Sequence, residues 1–491
     1  MGIVKRQGSL ASIFSYIGVI IGSLNTLWLF PEYIGSEKFG LFQLIIAFSL
    51  MFSRLSLSGT PKTVIKFNPY FVGKDNLSFV YFIFSSVFLG FMICSGLFFI
   101  LKPFLSLVYS ENATLFIKYI GLILPIAFFM AYFEILISFS KANIHTVVPS
   151  FLRDVVIRVL ISLLIILYIY EYIDFNYFLK AIIGVYFIVS VSLLGYLVHH
   201  KIFSIAKISF LNIKSKYREM MKYGFFALFN NIAIILRERI DILMIAALMG
   251  LSDVGVYSIA FFMASVISIP SNSISQVVEG LLSKYIKNND MLNVKDIYKK
   301  TALNQLIISG IIFIGIVCNL HNVFILIPKF IDGYWVIVFI GLARLTNVST
   351  GCNGLIIINS DFYKMSFYSS LFLVGLLFIT NLILIPLYGI SGAAFATFLS
   401  IFINNAFNII VVYYKYRIQP FTLSFLALLF FLIVIFFMGY FIPLFDNVFI
   451  DIGIRSFTMG ISYVAIVYFS KISRDFNDLV DSNIEKIKLI F

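Results

Sequence analysis

The sequence predicts an all-α polytopic membrane protein of about fourteen transmembrane helices: two pseudo-symmetric six-helix bundles followed by two further helices. Three observations predict it: an apolar composition, regularly recurring apolar runs, and a glycine-punctuated segment that occurs twice. Of the 491 residues 61% are hydrophobic and 18% aromatic, while only 12% are charged, about half the roughly 25% of a soluble domain. Apolar runs of about 20 residues recur along the chain, the length a helix needs to cross ~30 Å of hydrocarbon. They fall at 10–30, 40–58, 78–101, 114–137, 148–170, 175–198, 223–249, 254–278, 301–320, 334–358, 365–385, 390–412, 421–442 and 454–470. The first run has no small-residue cleavage site and reads as a retained helix rather than a signal peptide.

Charge placement orients these runs. With the N-terminus cytoplasmic, the connecting segments place 25 Lys and Arg inside and 4 outside (Lys38, Lys102, Lys329, Arg455), the asymmetry of cytoplasmic loops. Both termini are then cytoplasmic, and Trp28 and Trp335 fall at outer helix ends, where amphipathic rings favour the interface. The net charge of +13 is thereby a topological signal and does not imply a nucleic-acid partner. The longest outer loop, about 321–333, leaves no room for a periplasmic domain. Cys94, Cys318 and Cys352 sit singly in apolar runs, so neither a disulfide framework nor a metal site is expected. The four histidines, His145, His199, His200 and His321, lie in loops without zinc-type spacing.

A displacement of 215 positions aligns "YIGSEKFGLFQLIIAFSLMFS" at Tyr33 with "LMGLSDVGVYSIAFFMASVIS" at Leu248, superposing Gly35 on Gly250 and Gly40 on Gly255. The copies stand six helices apart, so they have parallel topology, as in transporters built from repeats about an axis normal to the membrane. The organisation expected is an N-terminal bundle over 1–198, a basic cytoplasmic linker over 199–222, a second bundle over 223–412, two added helices within 413–470 and a cytoplasmic tail over 471–491.

Three stretches carry a resemblance. They are "SLASIFSYIGVIIGSLNTLWLFPEYIGSEKFGLFQLI" near the N-terminus, "RIDILMIAALMGLSDVGVYSIA" from Arg239, and "NLILIPLYGISGAAFATFLS" from Asn381 with Pro386, Gly389, Gly392, Ala393 and Ala394. With the helix count, they resemble the Wzx-type O-antigen flippases of the multidrug/oligosaccharidyl-lipid/polysaccharide (MOP) exporter superfamily over essentially the whole chain. The resemblance implies a MATE-like fold in a bacterial inner membrane. It also implies a polyprenyl-pyrophosphate-linked oligosaccharide as cargo, other polysaccharide-assembly membrane proteins as partners, and a place in surface-glycan or lipopolysaccharide biosynthesis. No catalytic residue and no cofactor are expected.

Charges at membrane depth are costly, about 2.5–3.5 kcal/mol each on insertion scales, so they mark cavities or partners. Arg237, Glu238, Arg239 and Asp241 form the densest group, in the seventh run; helical spacing puts Asn230, Arg237 and Asp241 on one stripe and Asn231 and Glu238 beside it. Either Arg237 neutralises Asp241 at i,i+4, or Arg237 or Arg239 meets an anionic pyrophosphate, which guanidinium binds in bidentate fashion. Arg344, with Asn347 on its face and no acid in its own helix, is the leading substrate-facing cation, the alternative being a pair with Glu238 or Asp241. Arg158 has Asp154 one turn earlier as a local partner. Arg54 is placed to snorkel or to meet a headgroup; Lys62 and Lys66 are topology charges or an entrance. Ser268, Asn272 and Ser275 beside Pro270, and Asn404 with Asn408, suit a cavity wall or helix packing.

No G-x-x-x-x-G-K-[ST] loop is present, which removes ATP hydrolysis by that route. Asp241, Glu238 and Glu134 are the ion-coupling candidates. A drug or metabolite antiporter of the same superfamily is the alternative function; a glycan polymerase is less favoured without a long outer loop.

Overall fold

The computed structural model describes residues 2–71, 76–203 and 211–488. Lys74 and residues 204–210 of the basic linker lie outside the described residues, as do the side chains of Asn230 and Asn231. No strand occurs among the described residues. The helices are α1 (Gly2–Leu24), α2 (Ser36–Ser56), α3 (Thr60–Phe71), α4 (Asn76–Val108), α5 (Thr114–Ala142), α6 (147–169), α7 (Phe175–His199) and α8 (Leu211–Leu248). They continue as α9 (Leu251–Ser265), α10 (Ile269–Lys287), α11 (Met291–Cys318), α12 (Leu320–Leu326), α13 (Tyr334–Ser349), α14 (Asn353–Asn359), α15 (Tyr363–Tyr416), α16 (Leu423–Phe441), α17 (Val448–Phe469) and α18 (Arg474–Lys488).

Among the described residues, eleven helices are long and apolar enough to cross a membrane, which makes this a multi-pass membrane protein. One of the eleven is a hairpin. Gly389 interrupts α15 at φ 61°, and Thr380 bonds Ser400 while Ser369 bonds Asn404 and Asn408 across the two antiparallel legs. Helices α6 and α8 are also long, but charged residues interrupt them. Proline and polar residues shape the rest. Pro31 has no N–H to donate, and the end of α1 widens into a π-helix over Asn25–Ile34 before Gly35, at φ 84°, starts α2. A second π-helical segment, Phe151–Val156, lies inside α6. Before Pro270 the chain tightens into a 3₁₀ turn, Val266–Ser268, between α9 and α10.

The chain forms two compact units, residues 1–258 and 259–491. In the first, α5 packs against α2, α3 and α7, burying Phe67, Phe79, Phe139, Val189 and Leu193. The two glycine-punctuated segments meet here. A Cβ on Gly40 would strike the Leu251 carbonyl, and one on Gly255 would strike the Ser36 carbonyl. Ser36 and Leu251 are themselves related by the displacement of 215, as are Gly40 and Gly255, so the contact is reciprocal, as at a twofold axis. The Ser36 and Ser252 hydroxyls sit 2.8 Å apart beside it.

In the second unit, α11, α16 and α17 enclose Leu306, Leu428, Leu432 and Tyr463, while α10, α11, α14 and α15 enclose Leu282, Tyr298 and Ile356. Arg455, expected in an outer loop, is instead inside α17 because that helix begins six residues earlier than the apolar run, at Val448. This brings Asp451 one turn before it. Their ion pair at 3.0 Å is almost fully buried, with side-chain exposures of 3% and 0%. Asn322 donates to Asp451, as does the Phe445 amide at 3.2 Å, and Arg455 donates to the Gly439 carbonyl at 2.5 Å.

Two outcomes are expected. Gly40→Ala forces helix backbones apart and costs about 1–3 kcal/mol, read as earlier thermal unfolding in detergent, whereas Gly184→Ala, which has open space around it, leaves the transition in place. Asp451→Asn strands a buried guanidinium and costs about 3–5 kcal/mol; the apolar pair Asp451→Leu with Arg455→Met regains most of that stability.

Candidate functional site

The first unit gathers four of its cations in one seam of α1, α2, α5 and α6. The Arg54 Nη1 sits 3.0 Å from Glu134 Oε1, with both side chains partly open at 32% and 25%. Lys141, exposed at the end of α5, shares the field of Arg54, Glu134, Arg153 and Asp154. The π-helical turn of α6 presents Arg153 and Asp154 together: their side chains pair at 2.9 Å, and the Ser15 hydroxyl of α1 donates to Asp154 at 2.6 Å. Asp154 therefore belongs to Arg153 and Ser15, which corrects the expected i,i−4 pair with Arg158. Arg158 instead lies flat on α1, where Gly18 and Gly22 leave room for it: a Cβ at Gly22 would meet its guanidinium at 3.2 Å. Its Nη1 is buried with no hydrogen-bond partner among the described residues. Asn25 ties the two helices here, donating to the Arg158 carbonyl at 3.0 Å and accepting from Ser162 at 2.7 Å. Four cations, Arg54, Lys141, Arg153 and Arg158, thus face two carboxylates, Glu134 and Asp154. The excess positive charge suits a polyanion.

The α8 group divides. Asp241 is buried and accepts from the Tyr257 hydroxyl at 2.5 Å. Arg237 and Glu238 are exposed, Arg239 is half-buried, and none of these three forms an ion pair among the described residues. The expected neutralisation of Asp241 by Arg237 is absent because the two side chains occupy different environments: one is open and the other is enclosed beside Tyr257. In the second unit Arg344 is half-buried, its guanidinium carbon 5.0 Å from the centre of the Phe261 ring. Asn347, one turn after Arg344, joins an amide network. Asn405 donates to it at 3.3 Å and accepts from Thr350 at 2.9 Å. Asn404 and Asn408 both meet Ser369 and hold the α15 hairpin together.

A cavity of about 660 Å³ in the second unit is lined by apolar side chains with His321, Tyr334, Tyr440 and Arg455. Arg455 is committed to Asp451 and to backbone carbonyls, so it forms a wall there and not a receptor. Lys66 pairs loosely with Glu219 at 3.7 Å, both side chains exposed, and burial lowers the Lys62 ammonium pKa.

Two arrangements escaped the sequence. Asp451 and Arg455 were signalled only by their i,i+4 spacing. The histidines read as scattered loop residues, yet His145, His199 and His200 converge: the His145 and His200 ring centres lie 5.4 Å apart, those of His199 and His200 5.3 Å, and His145 Nδ1 meets the Tyr196 hydroxyl at 2.8 Å. Among the described residues no group of His, Cys, Asp or Glu can hold a metal, and the cysteines are free. Burial, and then the neighbouring His200, hold the His145 pKa below its usual value. A depressed folded pKa adds stability above the unfolded value, about 6.5, that is lost as the pH falls through the folded one. Acidification from pH 7 to 5 is therefore expected to lower the unfolding temperature, and His145→Gln to flatten that slope.

No curated protein matches the sequence significantly. The fold is similar to a solved structure described as lipid II flippase MurJ in an inward closed conformation, with a TM-score of 0.69 at 16% identity, over 94% of this chain and 100% of that one. It is also similar to the Vibrio cholerae MATE transporter VcmN in the bent form, with a TM-score of 0.52 at 12% identity, over 85% of this chain and 97% of that one. At these identities the likeness is one of fold, and the fold is that of flippases and transporters. A sequence model of the family described as polysaccharide biosynthesis protein matches residues 6–285, more than half of the chain, which therefore belongs to that family.

Proposed function

We propose that the chain is a flippase of lipid-linked glycans. It moves an oligosaccharide on a polyprenyl pyrophosphate, an O-antigen or similar surface-polysaccharide repeat unit, from the cytoplasmic to the periplasmic leaflet of a bacterial inner membrane. The observation that carries this reading is the seam of Arg54, Lys141, Arg153 and Arg158 against, among the described residues, Glu134 and Asp154. A diphosphate supplies the missing negative charge, and guanidinium groups hold phosphate in bidentate fashion even when desolvated. The open Arg54–Glu134 pair is the entry point: phosphate displaces the carboxylate from its cation, and Glu134 is the ion-coupling candidate beside it. Arg237, Arg239 and Arg344, the last beside Asn347, are further cationic contacts along the route; Asp241 and Glu238 are the remaining coupling candidates.

Fourteen spans follow if the α15 hairpin is two passes and the charged helices α6 and α8 are one each, which leaves both termini cytoplasmic. The bundles are then 1–198 and 223–412, joined by the linker 199–222, with added helices in 413–470 and a tail over 471–491. Alternating access about a central cavity requires the Ser36–Ser252 contact to part. A cation antiporter of MATE type is the second reading, favoured by one observation, the buried Asp241 bonded to Tyr257.

Deletion of the gene in its native bacterium, with inside-out vesicles to report the leaflet, tests the proposal. Complete repeat units stranded on the cytoplasmic leaflet and loss of surface glycan are expected, and Arg54→Gln restores less than about a tenth of wild-type delivery, the effect of one charge-assisted phosphate contact. An unchanged glycan profile would sink the proposal in favour of the antiporter; single units reaching the surface unpolymerised would mark a polymerase.

A further inference from the structure

The turn between α6 and α7 and the end of the α1 π-helix border an open, shallow cleft of about 380 Å³ lined by Tyr33, Tyr168, Ile169, Glu171, Ile173 and Asp174. Its parts are preset. Lys38 donates to the Tyr168 hydroxyl at 2.9 Å, and its ammonium lies 5.4 Å from the ring centres of both Tyr168 and Phe175, so the Tyr168 ring is fixed as a wall. Tyr33, also in the lining, is 44% exposed. Asp174 caps α7, one carboxylate oxygen accepting from the Tyr177 amide at 2.7 Å. Its other oxygen has no partner among the described residues, and neither has the exposed Glu171 carboxylate. Glu171 is held at φ 60° by a tight turn in which the Tyr172 amide bonds the Leu167 carbonyl at 3.0 Å.

Exposed tyrosines alone are what a membrane interface selects. Two carboxylates that share the lining with two tyrosines and have no ion-pair partner among the described residues are not; against the one ammonium of Lys38 on the Tyr168 wall they leave the cleft net negative, which disfavours phosphate and anionic headgroups. What fits is a ligand with apolar C–H faces for the rings and several hydroxyl donors for the carboxylates, which accept hydrogen bonds but cannot donate them. A neutral sugar has this surface. We infer that this cleft binds a sugar of the glycan cargo while the basic seam binds its diphosphate, an assignment that rests on the function proposed above. Both sites are built on α1 and α6, and the ten residues from Arg158 to Tyr168 set them about 15 Å apart along α6. The glycan is thus gripped at both ends, and the cleft, not the seam, discriminates among sugars.

The test uses the full chain in nanodiscs and, as probe, the repeat-unit oligosaccharide cleaved from its lipid and freed of phosphate, followed by saturation-transfer NMR. Transfer into sugar-ring protons is expected for the wild type and for Arg54→Gln, and about tenfold weaker binding for Tyr33→Ala and Glu171→Gln. No transfer to the wild type, or equal transfer to all four proteins, overturns the cleft. The same proteins in vesicles separate the two readings: sugar binding without movement of the intact lipid-linked unit defeats the flippase while leaving the cleft as a glycan receptor.

Discussion

An ion placed in hydrocarbon must bring its counter-charge with it, and the placement of the few charges at membrane depth in this protein follows from that requirement. The helices supply their own backbone partners, so lipid tolerates them as they stand. Charged side chains have no such provision. Each is enclosed with a partner, opened to water, or laid against another helix, and the choice made at each position separates structure from function.

Asp451 and Arg455 take the first course. Every group around them is satisfied by Asn322, by backbone carbonyls and by the Phe445 amide, so the pair fixes α16 and α17 to their neighbours and offers nothing to a ligand. The α1–α6 seam takes the other courses. Arg54 and Glu134 remain partly open, and Arg158 lies on bare glycine surface with a nitrogen that has no partner among the described residues. Such incompleteness costs stability, and on the function proposed above the diphosphate of the cargo would complete it.

Much of the fold was legible because lipid simplifies the code: long apolar runs, and a repeated Gly-x4-Gly turn that proves to be a reciprocal backbone contact. The hairpin at Gly389 was legible as the break between the runs 365–385 and 390–412, since glycine and proline act locally. Side-chain partners were not. Ideal helical spacing paired Arg158 with Asp154, but the π-helical turn over Phe151–Val156 changes the register and gives Asp154 to Arg153 and Ser15. It likewise paired Arg237 with Asp241, whose bonded partner, Tyr257, is 16 residues away. The candidate residues were found by type; their grouping depended on helix contacts that no local spacing encodes.

Among the described residues the seam holds two more positive charges than negative ones. Across an energised membrane a charge carried through the whole field exchanges about 2.3 kcal/mol per 100 mV. On the function proposed above, a doubly negative headgroup in the seam would make the loaded assembly nearly neutral, so that it would cross with little electrical work. The emptied seam, again cationic, would be drawn back toward a negative interior, and voltage would then act on the return stroke.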